Sequence, residues 1–108
     1  MIIFETPIFT KQINKLLSDD SYAELQGQIR LDPECGDLIK HSGGLRKVRW
    51  RAEGRGKRGG IRVIYYWFTL TGNAYMLLAY AKNEQSDLTV DQLKILKHLV
   101  EEELSDGR

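Results

Sequence analysis

Ile61-Arg62-Val63-Ile64-Tyr65-Tyr66-Trp67-Phe68-Thr69-Leu70, then Thr71-Gly72-Asn73-Ala74, then Tyr75-Met76-Leu77-Leu78-Ala79-Tyr80-Ala81-Lys82, is the stretch that decides the fold. Residues 61–70 are rich in β-branched and aromatic side chains and stay apolar at odd and even positions alike. That pattern reads as a central strand buried on both faces. Residues 75–82 read the same way until Lys82, and Gly72-Asn73 between the two runs suits a two-residue II′ hairpin turn. Strands joined by a tight turn pair antiparallel, so the start of the first lies beside the end of the second. Arg62 and Lys82 are therefore expected at one edge, with Tyr80 on the same face as Lys82.

Upstream, Leu45, Val48 and Trp50 alternate imperfectly with Arg46, Lys47, Arg49 and Arg51, a further strand. Residues 52–60 hold four glycines in nine positions and read as a loop. Nearer the start, residues 2–4 form a short apolar strand, and Thr6-Pro7 offers an N-cap followed by proline at the first helical position. Phe9, Ile13, Leu16 and Leu17 then share a helical face, and Tyr22, Leu25 and Ile29 share another. Ser21-Tyr22-Ala23-Glu24 fits a capping box for this second helix, with Ser18 and Asp19 as rival caps. Asp32-Pro33 ends it. Downstream, Thr89-Val90-Asp91-Gln92 is a capping box leading into the stripe Leu93, Leu96, Val100, Leu104. The expected fold is α+β: a small, mostly antiparallel sheet with two N-terminal helices and one C-terminal helix, the helices packed on one face.

The chain has 108 residues, which suits one domain, 1–108, with a real core. Hydrophobic residues at 42% exclude global disorder. No apolar run is long enough to span a bilayer, so no membrane partner is expected. The start of the chain has no basic region followed by a small-residue cleavage site, so it reads without a signal peptide and as cytoplasmic. The single Cys35 excludes an internal disulfide and a cysteine-based zinc cluster. His41 and His98 make no metal-ligand spacing, and no metal or cofactor is expected.

The net charge of +1 conceals a strong segregation. Arg46, Lys47, Arg49, Arg51, Arg55, Lys57, Arg58 and Arg62 are eight of the sixteen basic residues, opposed within their segment by Glu53 alone. A block this basic in a neutral domain implies a polyanionic partner. Glycines among the cations of the loop let backbone approach a phosphate, although Lys57-Arg58 does not complete a P-loop. A lysine held among fixed cations has its charged form disfavoured, which would suit Lys82 to proton transfer. Neighbouring arginines can stabilise the charge that builds on a phosphate under attack. Glu84 and Asp87, near Lys82, would orient that lysine rather than bind metal. Of the aromatics Tyr65, Tyr66, Trp67, Phe68, Tyr75 and Tyr80, one or two are expected to face outward for base stacking, the rest forming core.

The ordered series Gly44-Leu45-Arg46-Lys47-Val48-Arg49, Gly56-Lys57-Arg58-Gly59-Gly60, Arg62-Val63-Ile64-Tyr65-Tyr66, Tyr80-Ala81-Lys82-Asn83-Glu84 and Ser86-Asp87-Leu88-Thr89 resembles the HigB-like branch of the RelE/ParE toxin superfamily. The resemblance runs over essentially the whole chain. It implies a RelE-like fold and a type II toxin that cleaves mRNA in the ribosomal A site without metal. In such cleavage the ribose 2′-OH attacks the adjacent phosphate, leaving a 2′,3′-cyclic phosphate and a 5′-OH. It also implies that Arg62 and Lys82, joined by Lys57 of the loop, are the catalytic residues. Lys47, Arg49, Arg51, Arg55, Arg58, Tyr65 and Tyr80 would contact RNA or ribosome, 16S rRNA included. The implied protein partner is a HigA-like antitoxin, through which alone the complex would meet DNA. Two alternatives stand beside this: a ParE-like toxin that inhibits gyrase, and a non-enzymatic RNA-binding module.

Overall fold

The computed structural model describes residues 1–51 and 60–104, without the side chains of the last two. The hairpin organises the rest. Strand β4 (Ile61–Phe68) pairs antiparallel with β5 (Asn73–Ala81), and β4 pairs antiparallel with β3 (Leu45–Trp50) on its other side. A two-residue strand β2 (Asp37–Leu38), which no sequence pattern announces, extends that edge antiparallel to β3. On the far edge β1 (Ile3–Glu5) pairs parallel with residues 74–76 of β5. The sheet is thus mixed, in the order β1-β5-β4-β3-β2. The helices are α1 (Pro7–Leu16), α2 (Asp19–Leu31) and α3 (Val90–Leu99), the last running into a π-helical turn, Val100–Leu104. The fold is α+β with three α-helices among the described residues, none long and apolar enough to cross a membrane.

Local chemistry starts each helix. Thr6 caps α1 by accepting from the Phe9 amide at 3.1 Å, while its own hydroxyl donates to the Leu77 carbonyl at 3.0 Å, pinning the helix start to β5. Ser18, not Ser21, caps α2: its hydroxyl accepts from the Ser21 amide at 3.1 Å, leaving the Ser21 hydroxyl to accept from the Trp50 indole at 3.1 Å. Thr89 and Gln92 form the reciprocal capping box of α3.

The expectation of helices on one face is overturned. Phe9, Ile13, Leu17, Leu25 and Ile29 of the first two helices and their connection pack on Val48, Ile61, Val63, Tyr65, Met76 and Ala79. Leu96 and Val100 of the C-terminal segment pack on Leu45, Ile64, Leu77, Leu78 and Tyr80. The two sets belong to opposite faces of one sheet, because successive strand residues point opposite ways. Strands that are apolar on both faces need cover on both, at about 1.5–3 kcal/mol for each fully buried large apolar side chain.

The hairpin turn also differs from expectation. Residues 69–72 connect the strands, and Asn73 is already paired with Phe68. Gly72 is the last turn residue, at φ +75°, where the left-handed backbone favours glycine, and its amide donates to the Phe68 carbonyl at 2.8 Å. A II′ turn would need Gly72 and Asn73 as the only two linking residues, between a paired Thr71 and Ala74. The register then shifts once. Ile64 faces Leu78 and Tyr65 faces Met76, so Leu77 is an extra residue in β5, a β-bulge.

Candidate functional site

On the face covered by α3 the side chains fall into rows across the strands. Leu45, Tyr66 and Tyr75 form one row and Lys47, Ile64 and Leu78 the next. Arg49, Arg62 and Tyr80 form the row beyond. The C-terminal segment buries the apolar part of this face. The cationic part lies at the end where β3 leaves the sheet, β4 enters it and β5 ends. Arg49 and Arg62 are register partners on adjacent strands, about 5 Å apart along the sheet. Like charges placed directly opposite repel, and an anion between them turns that repulsion into attraction.

The Lys47 side chain is only 22% exposed, and its Nζ lies 3.3 Å from Asp87 Oδ1. Asp87 arrives from the loop between β5 and α3. Its Oδ1 also accepts from the Leu88 amide at 2.8 Å. That amide first of all, then Lys47 and the more distant Arg62 charge, holds the Asp87 carboxyl below the usual carboxylate range despite an opposing effect of burial. Asp87 was expected to orient Lys82. It orients Lys47 instead, because the loop folds back across β4 toward β3. Sequence spacing holds no signal for a contact between residues 40 positions apart.

Tyr80 sits in the Arg49–Arg62 row, 5% exposed, its ring within the apolar cluster under α3. Its hydroxyl is buried and has no hydrogen-bond partner among the described residues. Burial, then the Asp87 charge, raises its pKa against the opposing effect of Arg62, so the phenol keeps its proton at neutral pH. Lys82 follows Tyr80 in an exposed turn, and its amide donates to the Gly60 carbonyl at 3.1 Å. The expected meeting of Arg62 with the end of β5 is therefore present: Arg62 faces Tyr80, and Gly60 faces Lys82.

Two basic or aromatic residues of the same segment leave the site. Tyr65, expected at the RNA, is fully buried on the opposite face. Its hydroxyl donates to the Pro33 carbonyl at 2.7 Å and accepts from the Gly36 amide at 2.9 Å. Burial pushes its pKa far up. It is a core tyrosine that anchors the segment after α2. Arg46 shares that face and holds the same segment, donating to the Gly36 carbonyl at 2.8 Å and pairing with Glu34 at 3.6 Å. Arg51 lies exposed just beyond β3. Arg55, Lys57 and Arg58 lie outside the described residues. Among the described residues, no group of three or more His, Cys, Asp or Glu side chains could hold a metal ion.

The arrangement is an open cationic row with a protonated phenol at one end and a lysine–carboxylate pair alongside, a surface suited to a phosphodiester. No family model matches the chain.

Proposed function

We propose that this protein is a RelE-like toxin that inhibits translation by cutting mRNA in the ribosomal A site. The observation that carries the reading is the Arg49–Arg62–Tyr80 row, with Lys47 in the adjacent row and Lys82 just past the strand end. The reaction is attack of a ribose 2′-oxygen on the neighbouring phosphorus. A bond from that oxygen to phosphorus forms, the bond to the 5′-oxygen breaks, and the products are a 2′,3′-cyclic phosphate and a 5′-OH. The 2′-hydroxyl gives up a proton and the departing 5′-oxygen gains one. Arg49, Arg62 and Lys47 neutralise the extra negative charge on the five-coordinate phosphorus. Tyr80, its hydroxyl buried, backs the row from within the core and does not reach the phosphate. Lys82 and Lys57 are the proton-transfer candidates, and Arg51, Arg55 and Arg58 extend the grip along the strand. A HigA-like antitoxin that covers the basic row would silence the site by electrostatic complementarity.

The test is 5′-end mapping of a translated mRNA in a purified translation system, with and without ribosomes, after adding the protein. Cuts in codon phase that require ribosomes support the reading. Intact mRNA in both tubes refutes it. In that case a DNA-supercoiling assay decides whether gyrase is the target, and salt-dependent RNA binding without cleavage identifies a non-enzymatic module.

A further inference from the structure

We propose that Asp87 is a positioning residue of this site: its carboxylate fixes the Lys47 ammonium over the sheet face, so that the remaining N–H bonds of Lys47 aim at the phosphate held by Arg49 and Arg62. The proposal takes its substrate from the RNA-cleaving reading above.

A lysine side chain is long and flexible, and an ammonium is useful at a reacting phosphate only where it is held. Lys47 has three N–H donors, and one directed at Asp87 leaves two for substrate. The holding group is itself held. Asp87 Oδ1 accepts from the Leu88 amide at 2.8 Å, and the Asp87 carbonyl accepts from Gln85 Nε2 at 2.9 Å. Gln85 Nε2 also donates to Gln92 Oε1 at 2.8 Å, and that oxygen accepts from the Thr89 amide at 3.0 Å within the α3 capping box. The carboxylate is thus tied through its own loop to the start of a helix, while Lys47 is tied to the middle of β3. An ordinary surface ion pair joins two free-swinging side chains. Here the carboxylate, though 67% exposed, is held by the Leu88 amide of its own loop, the Lys47 stem is largely covered, and the link spans from the β5–α3 loop across β4. The same anchoring argues against proton transfer by Asp87: a carboxylate stabilised by an amide and a cation is a poor base, so its work is to hold.

The experiment uses the full chain with Asp87→Asn, which preserves shape and the acceptor for Leu88, and Asp87→Glu, which restores the charge. Single-turnover cleavage on programmed ribosomes separates rate from affinity, and NMR of the lysine ammonium groups reports Lys47 directly. The expected result is a slowly exchanging Lys47 ammonium signal in the parent that is lost in Asp87→Asn, with a rate lowered by about ten- to a hundredfold and affinity unchanged, and partial recovery of both in Asp87→Glu. A rate equal to the parent's, or tighter binding with faster cutting, overturns the proposal, since Asp87 would then be idle or a competitor for the phosphate seat. A parent protein that cuts nothing overturns the RNA-cleaving reading instead. The NMR comparison still decides the role of Asp87: an unchanged Lys47 signal in Asp87→Asn refutes the positioning, and its loss supports it.

Discussion

Arg49 and Arg62 are register partners on paired strands, two arginines on the same side of the sheet. Such a pair is mildly unfavourable to folding and useful to a phosphate, and the two effects predict opposite signs. Arg49→Ala should leave stability unchanged or raise it by up to about 1 kcal/mol, whereas Arg62→Ala also removes the bond from its guanidinium to the Ile61 carbonyl at 3.2 Å. Each should lower cleavage by at least about a hundredfold, the usual loss when a group stabilising developing charge is removed. Thermal melts and growth-arrest assays on the same preparations check both halves. Lys82→Ala, in an exposed turn, should abolish toxicity with no change in melting temperature.

Two tyrosines of the hairpin should respond to the same substitution in contrary ways. Tyr65→Phe removes a hydroxyl that serves both Pro33 and Gly36, leaving buried backbone groups without partners. The expected cost is about 1–3 kcal/mol, with RNA binding by the folded protein unaltered. Tyr80→Phe removes a buried hydroxyl with no partner among the described residues. It should leave stability equal or higher and cleavage by the folded protein unchanged. Denaturant unfolding and cleavage assays on the pair separate a hydroxyl that holds the structure from one that does not.

Gly36→Ala is expected to destabilise. A Cβ there would lie 2.8 Å from Cε1 of Tyr65 and 3.1 Å from the backbone carbon of Lys47. Neither neighbour can withdraw, because the ring is fully buried and β3 is paired on both sides. Overpacking of this kind costs about 1–3 kcal/mol, read as a lower denaturant midpoint at constant slope.

Alkaline pH should unfold the protein by way of its tyrosines. Burial, as the largest cause, raises the pKa of Tyr22, Tyr65, Tyr66 and Tyr80, and the Glu5 carboxylate that accepts from Tyr22 at 2.6 Å raises that one further. A raised folded-state pKa contributes stability that is fully present below the ordinary value of about 10 and is lost as pH rises from there. Stability should therefore be flat near neutrality and fall above about pH 10, with tyrosinate absorbance rising in step with unfolding. Tyr65→Phe should remove part of that pH dependence.

Replacing Lys57 and Arg58 together by Ala should weaken co-sedimentation with ribosomes and reduce its salt sensitivity, while leaving the melting temperature alone. Unchanged co-sedimentation would take the loop out of the interface.

Much of the architecture was legible because it rests on near neighbours. The Thr6 and Thr89 caps depend on residues three positions away. The double-sided apolarity of residues 61–82 specifies a buried hairpin, and antiparallel pairing then brings Arg62 to the end of β5. The segregation of Lys and Arg into residues 46–62 is visible in the chain itself and points to a polyanion. What was not legible is which face each basic or aromatic side chain takes. Arg46 and Lys47 are adjacent, yet one clamps Gly36 and the other meets Asp87. Tyr75 and Tyr80 are five residues apart and would point opposite ways in a regular strand, yet both lie on the α3 face.

The reason is the extra residue Leu77. A bulge inverts the alternation of everything beyond it, and its position is set by pairing with β4 rather than by any local preference. The partnership of Asp87 with Lys47 likewise exists only because a loop after β5 folds over two strands to reach a third. Capping, apolar period and charge block are properties of neighbours along the chain, so the sequence alone determined them. The faces, the cover on both sides of the sheet and the meeting of distant side chains depend on strand register and layer packing, and only the tertiary structure decided those.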